Sequence, residues 1–315
     1  NGGGYTQVAF DLLGYFIGNE PATIVKDRSA LALIYSATEQ DYILDEPMVF
    51  ITNQYTGSSS EIVTAAVKDY EKATIIGQTT YGSGRVKQLM PLSNGDYLKM
   101  TIKRFYSPKD NAIDEVGVKP HVELEGIDEA TAAVLMLADY GKDSSDDKSG
   151  YVQFNAGPND FAISLESMRK PEFWQAGNKL LDTVYMTTNM KLGGTNGWEA
   201  FPENLLKERQ KLYYPGYVEA GSLSNIPLDK KFKIAFNQDI NWSTVGLENI
   251  ELINASTGER VKCNYTYDDK RVMWVNPNNN LELDTDYWLV IHPDIKDVNG
   301  NNISGGVAVA KTVSK

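Results

Sequence analysis

Apolar residues fall into several regimes along the chain. After the glycine-rich opening Asn1-Gly2-Gly3-Gly4, the residues Val8, Phe10, Leu12, Leu13 and Phe16 recur at three- and four-residue steps, which predicts a helix. Pro47-Met48-Val49-Phe50-Ile51 is a short continuous apolar run, the form of a strand buried on both faces, and Ala73-Thr74-Ile75-Ile76-Gly77 is a second strand. Between them Ile62, Val63, Ala65, Ala66, Val67 and Tyr70 return to helical spacing behind the turn Thr56-Gly57-Ser58-Ser59-Ser60-Glu61. Strand, turn, helix, strand predicts a βαβ unit, and such parallel sheets collect their sites at the carboxyl ends of strands, where this turn falls. Residues 85–92 and 97–105 flank Ser93-Asn94-Gly95-Asp96, whose Asn-Gly pair predicts a hairpin, so a mixed sheet is expected.

Downstream, residues 128–140 read as a helix, and 141–150, rich in Ser, Asp and Lys, have the composition of a solvated linker that closes the first domain. Residues 151–217 carry mixed signals, with a strand at 161–165 and a helix opening on Pro171. From Ser222 onward the period is two: Phe232, Ile234 and Phe236 alternate with Lys231, Lys233 and Ala235, and Tyr287, Leu289 and Ile291 repeat the pattern. Turn chemistry at Thr257-Gly258, Asp268-Asp269 and Asn299-Gly300 spaces these runs as in a small sandwich. The expected organisation is an α/β core over 1–140, an intermediate region over 141–218 and an all-β domain over 219–315.

Composition narrows the functions. With 42 Asp plus Glu against 30 Lys plus Arg, the net charge of −12 repels phosphate backbones, so nucleic acid is not an expected partner. The single cysteine, Cys263, has no partner for an intramolecular disulfide, and no apolar stretch reaches the roughly 20 residues that span a bilayer. His121 and His292 lack Cys or His neighbours at ligand spacing, and Asp294, Asp297 and Asn299 lack the closing glutamate of a calcium loop. Both groups are read as structural, and no metal or cofactor is expected. The aromatic residues Trp198, Tyr213, Tyr214 and Tyr217 are read as packing residues.

Three patterns in the first 125 residues carry a family resemblance. Asn1-Gly2-Gly3-Gly4 is similar to the N-x-G-G element of the C-terminal processing (tail-specific) serine peptidases, and Ser58-Ser59-Ser60-Glu61 to their S-A-S-E, with Ser59 in place of Ala. Gly82-Ser83-Gly84-Arg85-Val86-Lys87 resembles their G-K-G-x-x-Q, with Ser83 at the base lysine and Lys87 at the glutamine. The likeness continues through Pro91-Leu92-Ser93-Asn94-Gly95 and Gly117-Val118-Lys119-Pro120-His121, where His121 replaces an aspartate. It implies an α/β, ClpP/crotonase-like core, a polypeptide substrate, Ser58 as nucleophile, and upstream domains preceding Asn1. The tail resembles a bacterial surface Ig-like β-sandwich, through Ile226-Pro227-Leu228 and the closing Asp297-Val298-Asn299-Gly300-Asn301. An exported, envelope-associated protein, with cell-wall contact through that tail, is therefore expected.

The chemistry turns on the base. A serine hydroxyl attacks a peptide carbonyl only with a base in hydrogen-bond reach and donors aimed at the developing oxyanion. The resemblance assigns those donors to the N–H groups of Ser59 and of Gly4 or Gly3. A desolvated lysine amine serves as base in the Ser-Lys variant of the triad, and that lysine is absent here. If 83–87 is extended, Ser83 and Lys87 face the same way, about 13 Å apart at ~3.3 Å per residue, which makes Lys87 a candidate relocated base. The rival expectation is a catalytically silent homologue that holds a peptide or wall component. Ser58 and Glu61 are also a capping box, which needs no catalysis to explain it.

Overall fold

The computed structural model describes residues 1–29, 31–140, 147–246 and 248–314. The chain divides into two compact units, residues 1–163 with 179–199, and 164–178 with 200–315.

In the first unit α1 (Thr6–Ile17) follows the glycine turn and buries Leu13, Phe16 and Ile17. β1 (Pro21–Asp27) and β2 (Ala32–Ser36) pair antiparallel. β3 (Val49–Thr52), α2 (Ser59–Asp69) and β4 (Thr74–Gly77) then form the expected βαβ unit, with Val49 opposite Thr74 in parallel register. β5 (Arg85–Pro91) and β6 (Tyr97–Tyr106) are the expected hairpin, closed by Leu92 N–H on the Asp96 carbonyl at 2.8 Å. β7 (Val122–Glu123) pairs with β4 on the side away from β3. α3 (Glu129–Ala138) starts on Asp128, whose carboxylate accepts the Ala130 N–H at 3.1 Å.

Two expectations are corrected. β4 is buried at every position and has a neighbour on each side, so it leaves no edge for the hairpin. β6 pairs instead with β1 in the order β2-β1-β6-β5, and the single mixed sheet becomes one parallel and one antiparallel sheet. β3, expected to be buried on both faces, is an edge strand, and its Ile51 is 46% exposed.

The linker expected over 141–150 lies, for residues 141–146, outside the described residues. β8 (Tyr151–Ala156) and β9 (Asn159–Ser164) follow, the latter covering most of the strand expected at 161–165. α4 (Leu165–Met168) leads into α5 (Pro171–Thr187), which opens on the expected proline, and β10 (Lys191–Gly194) and β11 (Gly197–Ala200) complete a sheet ordered β11-β10-β8-β9. Thr74 Oγ1 donates to the Ala156 carbonyl at 2.7 Å, and Asn159 Nδ2 donates to Thr74 Oγ1 at 3.1 Å, which fixes the β8–β9 turn to β4.

Besides α4 and the start of α5, the second unit contains among the described residues α6 (Asn204–Lys207), α7 (Arg209–Tyr213) and seven strands. These are β12 (Val218–Ile226), β13 (Phe232–Ala235), β14 (Ile250–Asn254), β15 (Cys263–Tyr267), β16 (Val272–Pro277), β17 (Asp286–Ile291) and β18 (Gly306–Thr312). They form a four-stranded sheet, β12-β18-β17-β14, and a three-stranded sheet, β13-β16-β15. One core takes Leu252 and Leu289 from the first and Ile234 and Val275 from the second, the inward residues of period-two strands. Trp174 stacks on Tyr213 at 4.9 Å, packs on Trp288 at 5.3 Å and donates its indole N–H to the Ala255 carbonyl at 2.9 Å.

Candidate active site

Ser58 sits between β3 and α2 with φ +57° and ψ −124°, a conformation that costs a residue with a Cβ about 1–3 kcal/mol and persists only where its surroundings impose it. Glu61 imposes it. This glutamate has no exposed surface, and its Oε2 accepts the N–H of Ser58 at 2.9 Å and of Ser83 at 2.8 Å. Its Oε1 accepts the Gly82 N–H and the Thr80 hydroxyl, each at 2.6 Å, and Thr80 Oγ1 in turn accepts the Val118 N–H at 2.7 Å. The glutamate arm of the capping box is therefore formed, and it does more than cap a helix. One buried carboxylate binds the Ser58 turn to the Gly82–Ser83 loop.

Backbone crowding explains the glycines around this turn. Gly3 has φ +95°, and a Cβ there would lie 2.7 Å from the Gly57 carbonyl oxygen and 2.8 Å from Ser58 Cβ. At Gly84 a Cβ would meet the Asp114 backbone nitrogen at 2.4 Å. Glycine beside position 83 is thus required by packing, whichever residue occupies 83.

Each expected site residue can now be placed. Ser58, Ser59 and Lys87 line one cavity of about 490 Å³. Ser83 is half-buried, is absent from that lining, and lies two residues before β5 begins at Arg85. Lys87 is exposed, and no hydrogen bond joins it to Ser58 among the described residues. A base lysine needs a desolvated amine, and this one is open to water. Gly4, expected to donate to an oxyanion, gives its N–H to Ser59 Oγ at 2.7 Å, while the Gly3 N–H goes to Asn1 Oδ1 at 3.0 Å. The Ser59 N–H belongs to the first turn of α2, where no intrahelical acceptor exists.

The cavity's walls are apolar at Phe10, Ile62, Val86 and Phe105, and its cations are Arg85, Lys87 and Lys103. Arg85 is neutralised: its Nε lies 2.8 Å from Asp114 Oδ1, its Nη2 meets Glu115, and the bond to Asp114 first of all raises its pKa. His121 Nδ1 accepts the Ile75 N–H at 2.9 Å, and burial, then Lys68, push the imidazole down to about 4, so it is neutral near pH 7. His292 bridges the Tyr217 hydroxyl and Glu251 Oε2, each at 3.0 Å, within the second unit.

The strained Ser58 turn thus joins β3 to the N-terminus of α2 and opens on this cavity. Residues 1–124 match the model of peptidase family S41, and residues 219–312 match that of a bacterial Ig-like domain. Among curated proteins, the chloroplastic C-terminal processing peptidase of Tetradesmus obliquus is 29% identical over 125 residues, 40% of this chain and 27% of that protein. The carboxy-terminal processing protease CtpB of Bacillus subtilis is 27% identical over 200 residues, covering 60% of this chain and 41% of that protein. A solved photosystem II D1 C-terminal processing protease shares 29% identity over 40% of this chain and 32% of that chain, with a TM-score of 0.38. The chain spans about a quarter of the length of the first curated relatives it matches.

Sequence reasoning missed the reach of Glu61 and the part of Thr80. The one signal for Glu61 was its place three residues into a helix, which a cap explains equally well. Thr80 lies in a loop that meets Glu61 only in three dimensions.

Proposed function

We propose that residues 1–124 form a polypeptide-binding groove of the C-terminal processing peptidase type whose hydrolytic step is impaired, so that the protein holds peptides more than it cuts them. The carrying observation is the use of serine at two positions that the chemistry needs otherwise. Ser83 stands where the resemblance places the base, and the Ser59 hydroxyl occupies the Gly4 N–H assigned to the oxyanion. Ser58 nevertheless keeps its strained turn, held by Glu61, at the edge of a cavity large enough for peptide side chains. On this reading the first unit has a ClpP/crotonase-like core. The tail is an Ig-like β-sandwich that sets the groove at the bacterial cell envelope and touches the wall. No cofactor takes part.

A fluorophosphonate probe, which reports an activated serine, tests this on the intact protein. Equal labelling of wild type and Ser58→Ala is expected, and strong labelling confined to wild type would overturn it. A second reading, hydrolysis through a relocated Ser58–Lys87 dyad, is favoured by their sharing one cavity. It requires Ser58-dependent turnover that Lys87→Ala abolishes.

A further inference from the structure

We infer that the second unit binds an extended, uncharged stretch of another polypeptide, which adds as a strand to the free edge of β13. The inference does not depend on what the first unit does. The four-stranded sheet β12-β18-β17-β14 has one strand more than the sheet β13-β16-β15 with which it shares a core. A cavity of about 530 Å³ lies where the two differ. Val218, Ala220 and Ala308 border it from β12 and β18, and the consecutive residues 233–238 border it from β13 and the segment that continues it. Successive residues alternate between the two faces of a strand, so a cavity bordered by all of them follows the strand's edge.

That edge offers backbone groups. Phe236 N–H donates to the Arg271 carbonyl at 2.8 Å, and two residues earlier Ile234 stands opposite Met273 in the β13–β16 register. Antiparallel pairing alternates, so Ile234 and Phe236 direct their N–H and C=O to β16, while those of Lys233 and Ala235 face the other way. Both residues are exposed, and among the described residues no strand pairs on that side. A free edge of this kind is the template on which a further strand adds. β12 is the poorer template, because its pairing with β18 is interrupted between Glu219 and Gly221 and again between Leu223 and Ile226. It is exposed at every position from Val218 to Asn225, and a strand added to β13 covers the side of it that borders the cavity.

The walls set the chemistry of the occupant. Ile234, Leu289 and Ile291 form an apolar floor, and Ala220, Gly306 and Ala308 leave room above it, so the inward side chains are small and apolar. Lys233 is the one charged residue in the lining, and its ammonium is turned onto the Trp274 ring, 5.8 Å from the centroid. The polar remainder, Asn237, Gln238, Asn302 and Ser304, is neutral and complements an uncharged segment. At ~3.3 Å per residue, about six extended residues fill the length of the edge.

The probe is the amidated peptide Ser-Val-Thr-Val-Ser-Val-Thr with a neutral N-terminal fluorophore, read by fluorescence polarisation with the intact protein. Two further versions are N-methylated at alternate residues, one in each register. Binding of the parent is expected, with a loss of about tenfold or more for one methylated register and little change for the other, because only alternate N–H groups of an added strand face β13. Ala235→Pro removes an N–H that faces away from β16, which an edge strand tolerates, and is expected to weaken binding about tenfold or more with the second unit's thermal transition in place. If that transition moves, Ala220→Glu on exposed β12 makes the same test by setting a carboxylate in the cavity. Absence of binding, equal binding of all three peptides, or binding that both variants retain overturns the inference. So does sedimentation of a dimer that Ala235→Pro dissociates, which assigns the edge to a second copy of the chain.

Discussion

Glu61→Gln is the most informative single perturbation of the first unit. The carboxylate has no exposed surface and receives four hydrogen bonds, from Ser58 N, Ser83 N, Gly82 N and Thr80 Oγ1. A carboxamide keeps one acceptor oxygen and turns an –NH2 group on the two donors that faced the other, Ser58 and Ser83 N–H at Oε2 or Gly82 N–H and the Thr80 hydroxyl at Oε1. Whichever way the amide is placed, at least one buried N–H loses its acceptor and meets a donor. Two lost charge-assisted bonds, each about 1.5–3 kcal/mol, give a destabilisation of about 3–6 kcal/mol. For a unit of this size that corresponds to a fall of roughly 6–20 °C in midpoint. Differential scanning calorimetry of the intact protein reads this as a shift of the first unit's transition, with the second unit's transition in place. Thr80→Val, which removes a single hydroxyl from the same network, is expected to cost less, about 1–3 kcal/mol. A Glu61→Gln midpoint within 2 °C of wild type would refute the claim that this carboxylate ties the two loops together.

Other perturbations follow from the same contacts. Gly3→Ala forces a Cβ to within 2.7 Å of the Gly57 carbonyl at φ +95°, and is expected to lower first-unit stability by about 1–3 kcal/mol in urea unfolding. Neutral His121 accepts the Ile75 N–H, and its folded pKa of about 4 lies below the ordinary 6.5. Its stability contribution is therefore full above pH 6.5 and is lost as pH falls toward 4, so a His121→Asn variant, which keeps an acceptor that does not titrate, should show a shallower acid decline. Trp174→Ala removes a fully buried ring stacked on Tyr213, and should cost about 3–5 kcal/mol in the second unit's transition alone.

Local patterning made much of this fold legible. Helical spacing located α1, α2 and α3, the Asn-Gly pair located the β5–β6 hairpin, and the period of two located β13 and β17. The failures are non-local. Nothing in the run around Ile51 says that β3 is an edge strand, because that depends on β7, a two-residue strand some 70 residues later with no periodicity to read. β1 and β2 were missed because β2 is exposed at every position, so no alternation between core and water marks it. At the site, motif spacing placed Ser58 and the substituted Ser83. It did not show that Ser59 turns its hydroxyl onto Gly4, or that Glu61 accepts the Ser83 N–H. Those facts depend on how turns from distant parts of the chain meet.

The central claim, that the groove is kept while the base is lost, is tested most directly by casein hydrolysis. The comparison is among the intact wild type, Ser58→Ala, and a double variant combining Ser59→Ala with Ser83→Lys. The account predicts that wild type and Ser58→Ala are indistinguishable, while the double variant, with an amine at the base position and the Gly4 N–H released, gains turnover that Ser58→Ala abolishes. Wild-type hydrolysis that disappears in both Ser58→Ala and Lys87→Ala would contradict it and establish a working Ser58–Lys87 pair.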